Sequence, residues 1–258
     1  MNIITGEKLQ QLADIYIGNI EDLEYNPLIR SQRDKHLELN SIISPYNNPY
    51  TIFCYTHRIY EFAKIIHFFQ NPFCLITHNS DENIIENEDI ISILNCPILV
   101  KWHSQNICFY HKKLFMLPIG IANRMWPHGN TSIYSDIVPT KTKSVYFHFN
   151  IHTNRLKREV CYNVLHTKLE WLPEIPPNEN IYRLSQYKYC ICPEGNGVDT
   201  HRLWEALYVK CIPIVIKSQF SETLIRNNIS VIVLDQWADF NENHLIYNEK
   251  SMNFIVDI

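Results

Sequence analysis

The stretch Tyr189–Ile216 constrains the fold more than any other part of the chain. A short apolar run, Tyr189–Cys192, leads into Pro193, Glu194, Gly195, Asn196 and Gly197. Leu203, Ala206, Leu207 and Val209 then recur on one helical face, and a second apolar run, Ile212–Ile216, follows at once. Strand, glycine-bearing loop, helix and strand in that order predict a βαβ unit whose helix covers a parallel sheet. The turn between strand and helix is where such units bind ligands.

The residues of that turn favour an anion. Gly195 and Gly197 let the backbone approach it without Cβ interference, and Asp199 or Thr200 suits the N-cap of a helix whose first N–H groups point outward. His201 and Arg202 place cations in the first turn, unfavourable for the helix dipole unless something negative lies opposite. Glu205, on the face of Arg202, is placed to accept two hydrogen bonds from a ribose diol. Together these residues describe a cradle for a nucleoside diphosphate. The plainer alternative is a capped helix with an Arg202–Glu205 surface pair.

The string PEGNGVDTHRLWEALYVKCIPIV resembles the C-terminal half-site of exostosin-like glycosyltransferases. Ile76–Asp81, Pro118–Asn123 and Trp126–Asn130 are similar, in the same order, to blocks of the compact viral and bacterial members. Lys210 departs from the pattern, since the family usually has glycine there; the site tolerates it if the side chain points to solvent. The resemblance implies a GT-B-like α/β fold, two Rossmann-type domains with parallel sheets facing across a cleft. Residues 1–135 would form an acceptor-binding domain and 136–258 a nucleotide-sugar-binding domain, the polar stretch Tyr134–Lys143 being the linker.

Composition narrows the partners. A net charge of −4 without a basic stripe disfavours nucleic acid. Most of the eight cysteines lie in or beside apolar runs and read as buried free thiols of a reducing compartment, the cytoplasm, or the host cytoplasm if the chain is viral. No run approaches the roughly 18 apolar residues of a membrane helix, and no signal peptide is legible. Strands are expected at Tyr50–Tyr55, Phe73–Thr77, Pro97–Trp102, Leu114–Leu117, Ser144–Phe149 and Val231–Leu234. Helices are expected at Arg58–Phe69, within 81–95, at Arg155–His166, Asn180–Tyr187 and Ser221–Arg226, and from Gln236 onward. Residues 1–48, with a charged piece at Arg30–Glu38, are expected to carry no chemistry.

Glycosyl transfer needs charge neutralisation on the departing diphosphate and a base near the acceptor hydroxyl. The chain has no D-x-D; Glu86-Asn87-Glu88 comes nearest and reads as a solvated face. Protein cations therefore take the leaving group, the candidates being Arg202, Arg155 and Arg158, with Arg158 ranked first by the resemblance. His201 and His128 would add contacts to the donor, and Tyr182 or Arg183 would lie near its base. Asp81, at the end of a strand and partly desolvated, is the expected base with His78 as orienter; the alternative for Asp81 is a helix N-cap. Trp126 either stacks on a sugar or plugs the core. The reading is an inverting, metal-independent glycosyltransferase without cofactor, moving a sugar, xylose by the resemblance, from a UDP-sugar donor to a glycan acceptor. The alternatives are a non-catalytic nucleotide-sugar or glycan-binding module and a sugar-nucleotide epimerase. An incomplete G-x-G-x-x-G disfavours NAD chemistry.

Overall fold

The computed structural model describes residues 3–17, 36–37 and 50–248. The chain divides into two compact units after Trp126: one runs from Ile4 to Trp126, the other comprises Ile3 and the chain from Pro127. No helix among the described residues is long and apolar enough to cross a membrane. All eight cysteines are free.

The first unit holds α1 (Gly6–Leu12), β1 (Ile15–Ile17), β2 (His36–Leu37), β3 (Tyr50–Tyr55), α2 (Ile59–Ile65), β4 (Phe73–His78), α3 (Glu88–Asn95), β5 (Leu99–Ser104) and β6 (Leu114–Met116). Its strands pair in the order β2-β1-β3-β4-β5-β6, every pairing parallel. Leu9 and Ala13 bury against Tyr16, Phe53 and Ile76 on one face, with the Tyr16 and Phe53 rings stacked 5.8 Å apart. A second aromatic cluster joins Phe62 and Phe69 to Phe73 at 6.1 and 5.4 Å. α1 and β1 lie where the sequence predicted no element. The reason is visible in α1, whose buried residues include Glu7 and Gln10 beside Leu9, so its inward face lacks an apolar period. Arg30–Glu38 falls largely outside the described residues.

The second unit holds α4 (Ile133–Asp136), β7 (Lys143–Tyr146), α5 (Arg155–Leu165), α6 (Pro177–Leu184), β8 (Tyr187–Ile191), α7 (His201–Tyr208), β9 (Ile212–Ile216), α8 (Gln219–Arg226) and β10 (Ile232–Leu234). The sheet order β10-β9-β8-β7 is again wholly parallel. Each unit is thus a Rossmann-like layer of parallel strands and helices, as expected. One core face gathers Phe147, Phe149, Cys161, Leu165, Ile191, Ile214, Trp237 and Phe240. From Gln236 to Asn248 the chain forms not the expected helix but two 3-10 turns, Trp237–Asp239 and Glu242–His244, and residues 249–258 lie outside the described residues. Trp237 and Phe240, three residues apart, both enter the core, and three residues per turn is the 3-10 repeat. α6 begins at Pro177, ahead of the expected Asn180, because proline suits the first helical position.

The end of α7 places Lys210 in a left-handed backbone conformation. Cys211 N–H donates to the Ala206 carbonyl at 2.8 Å and Lys210 N–H to that of Leu207 at 2.9 Å, a Schellman closure with Lys210 at φ +59°. A lysine there bears a left-handed strain that glycine does not. Lys210→Gly is expected to raise the unfolding free energy by about 0.5–1 kcal/mol, after its extra freedom in the unfolded chain is subtracted. Urea unfolding measures it, and a loss of stability would refute the strain.

Candidate active site

The carboxyl ends of β7, β8 and β9 share one edge of the second sheet, and two buried arginines define it. Arg158 lies one turn into α5, which Asn154 starts by accepting the Lys157 N–H. Arg158 Nη1 donates to the Asn150 carbonyl at 2.6 Å and Nε to the Glu194 carbonyl at 2.9 Å, tying the loop after β7 to the glycine loop after β8. The residue is 7% exposed, and a Cβ on Gly195 would lie 3.3 Å from its Nη2. Gly195 therefore serves close packing over a guanidinium, and Asn154 Nδ2 holds its carbonyl at 2.7 Å. Burial first, and then the Arg202 charge, lower the Arg158 pKa to about 10, so it is still cationic at neutral pH. Among the described residues no carboxylate pairs with it.

Arg202 is held from three sides. Its Nε lies 3.1 Å from Glu205 Oε2, Nη1 donates to the His148 carbonyl at 2.8 Å, and its guanidinium carbon sits 5.5 Å from the Tyr146 ring. Burial, the largest single influence, works against this charge, but Glu205 together with Cys190, Tyr146 and Cys192 outweighs it, and the Arg202 pKa is raised. The pair that the plainer alternative placed on the surface is largely buried, the two side chains being 20% and 7% exposed. Glu205 thus spends an oxygen on Arg202 rather than offering both to a diol.

Tyr146 was missed by the sequence reading. Arg183 also lies over its ring, at 5.4 Å, donates from Nη2 to its hydroxyl at 2.9 Å, and from Nη1 to the Pro173 carbonyl at 2.6 Å. Tyr146 in turn donates to Asn180 Oδ1. Next to it, burial and then the Arg202 and Arg183 charges lower the His148 pKa from 6.5 to about 4. The unfolded chain binds that proton below about pH 6.5 and the folded one only near pH 4, so stability falls as pH drops through this window. His148→Asn is expected to flatten the decline between pH 7 and pH 5 in urea unfolding; an unchanged decline refutes it.

The remaining expected donor residues divide. Gly197 accepts the Gly195 N–H at 3.1 Å, and Asn196 between them is exposed. Thr200 occupies the N-cap of α7 without a side-chain capping bond, and Asp199 accepts from Trp204 Nε1 at 2.7 Å instead of capping. His128 is brought to His201, ring centroids 5.9 Å apart. Arg155 is not brought in: it is exposed and pairs with Glu159 at 2.5 Å on the outer face of α5. Tyr182 is exposed.

In the first unit, His78 is buried at the end of β4, with Nε2 3.0 Å from the Pro118 carbonyl and Nδ1 3.0 Å from Asn79 Oδ1. The turn that follows is pinned from the end of β5: Asn79 N–H donates to Gln105 Oε1 at 3.0 Å, and Asn106 Nδ2 reaches the Ser80 and Glu82 carbonyls at 3.1 and 3.2 Å. Asp81 rides on this fixed turn but is exposed, so the expected desolvation is absent. It is not a helix cap either, because α3 starts at Glu88 with Asn87 as its cap. Trp126 is exposed and plugs no core. Glu7, in a segment expected to carry no chemistry, is a buried carboxylate that accepts the Arg124 N–H at 2.6 Å.

No model of a known protein family matches the chain. Over an alignment of 50 residues that covers 18% of the chain, the sequence is 46% identical to a probable glycosyltransferase of Arabidopsis thaliana. The alignment spans about 10% of that protein's length.

Proposed function

We propose that the chain is a glycosyltransferase that takes a sugar from a UDP-sugar and passes it to a glycan hydroxyl with inversion, without a bound metal. The observation that carries this reading is Arg158, a buried guanidinium with no carboxylate partner among the described residues, lying under Gly195 in the loop before α7. A buried cation is stabilised by an anion, and the planar fork suits phosphate oxygens. Arg202 adds positive charge on the same sheet edge, and His201 and His128 add ring nitrogens for hydrogen bonding. The similarity to a plant glycosyltransferase supports the class of reaction. In the transfer, the bond between the sugar C1 and the diphosphate oxygen breaks, and its electron pair passes to that oxygen. The acceptor oxygen bonds to C1 from the opposite face and loses its proton to Asp81. Xylose as the sugar rests on the resemblance of the sequence blocks.

UDP in EDTA is expected to stabilise the protein in a thermal-shift assay, by about 2.7 kcal/mol at 100 times its dissociation constant. No shift with UDP would sink the reading. The exposure of Asp81 favours one second reading, a non-catalytic nucleotide-sugar or glycan-binding module. Asp81→Asn separates the two: it abolishes sugar transfer and leaves the UDP shift intact if Asp81 is the base, whereas a module shows no transfer before substitution.

A further inference from the structure

The second unit contains a cavity of about 550 Å³ that the diphosphate cradle does not account for. It lies at the carboxyl ends of β8, β9 and β10, with Leu203, Phe220, Leu224 and Trp237 contributing apolar walls. α5 supplies the opposite wall through Leu156, Val160 and Val164, spaced i, i+4, i+8 and so on one helical face. Leu156 is 86% exposed and Val160 56%, a poor arrangement for alkyl chains that no described residue covers. Arg158, Cys161 and Leu165 are the residues of α5 that are buried in the fold, so Leu156 and Val160 serve no core.

The charges at the rim are already matched. Lys157 pairs with Glu194, and Lys217 Nζ lies 3.7 Å from Asp235 Oδ1. A phosphate placed here would meet paired lysines and apolar walls, whereas at Arg158 it meets an unpaired cation. The cavity is also continuous with the cradle, because Pro193, Glu194 and Thr200 line it and Glu194 provides the carbonyl that holds Arg158.

We propose that this cavity binds an alkyl or aryl group, with a polar head at its rim. Its role as the site for the apolar end of the acceptor, a sugar linked to a hydrophobic carrier or aglycone, rests on the glycosyltransferase reading and departs from the expectation that residues 1–135 bind the acceptor. The binding itself does not.

The test is isothermal titration of the full chain with n-octyl β-D-glucopyranoside, below its micelle concentration, against methyl β-D-glucopyranoside. The octyl compound is expected to bind at least about tenfold more tightly, since each methylene removed from water adds affinity. Leu156→Asp with Val160→Asp is expected to erase that advantage. Both side chains are exposed, so the double variant keeps its core, which an unchanged melting temperature verifies. Equal binding of the two glucosides, or an octyl advantage that survives the double variant, overturns the site. An octyl advantage that the double variant erases, in a protein that UDP does not stabilise, upholds the apolar site and removes only the transferase reading.

Discussion

Arg158→Lys is expected to weaken the proposed binding of UDP by about 10- to 100-fold, the equivalent of one hydrogen bond to a charged group. Lysine keeps the positive charge but is a single point donor, so it cannot hold the Asn150 and Glu194 carbonyls and still present a nitrogen beneath Gly195. The same variant loses about 1–3 kcal/mol of stability, because a buried carbonyl goes without its donor. Arg155→Lys supplies the contrast. Arg155 lies exposed on the helix exterior, so the change leaves UDP binding where it was. Titration calorimetry with UDP on both variants measures the difference. Equal effects at 155 and 158 would refute the assignment of the cradle to Arg158.

The β8–α7–β9 unit was legible because its signals are local. Ile212–Ile216 is an unbroken apolar run bounded by the chain reversal at Lys210, and it forms β9 residue for residue. The burial of Arg158 rather than Arg155 was also legible in the spacing, since Cys161 and Leu165 share the buried face of Arg158. What stayed hidden depends on partners far along the chain. Tyr146 reads as one more strand residue, and only the fold brings Arg183 and Arg202 to its ring. The position of Asp81 after a strand was legible, but its exposure was not. That follows from a turn fixed by Gln105 and Asn106, the residues just past the end of the next strand over. Glu7 was dismissed because a buried carboxylate breaks the apolar period that marks a helix, and its partner lies at Arg124. In each case local pattern located the element, and the long-range contact decided the chemistry.

Glu205→Met and Arg202→Met, made singly, each lower the unfolding free energy by about 3–5 kcal/mol, the usual cost of stranding one charge of a buried pair. With Glu205 gone, the Arg202 guanidinium keeps only the His148 carbonyl and the Tyr146 ring against the penalty of burial. With Arg202 gone, the Glu205 carboxylate is left buried beside Tyr134, and the His148 carbonyl loses its donor. The double variant Arg202→Met with Glu205→Met is expected to be more stable than either single one, because it buries neither charge and fills the space with alkyl chains. Urea unfolding of the four proteins closes a double-mutant cycle. Additive losses below about 1 kcal/mol each would mean that the two side chains behave as an exposed pair. UDP binding separates structure from recognition within the same set. The double variant keeps Arg158, and with it the cation that has no carboxylate of its own, so a folded double variant that still binds UDP, more weakly than the parent, assigns Arg202 to shaping the cradle and Arg158 to holding the diphosphate.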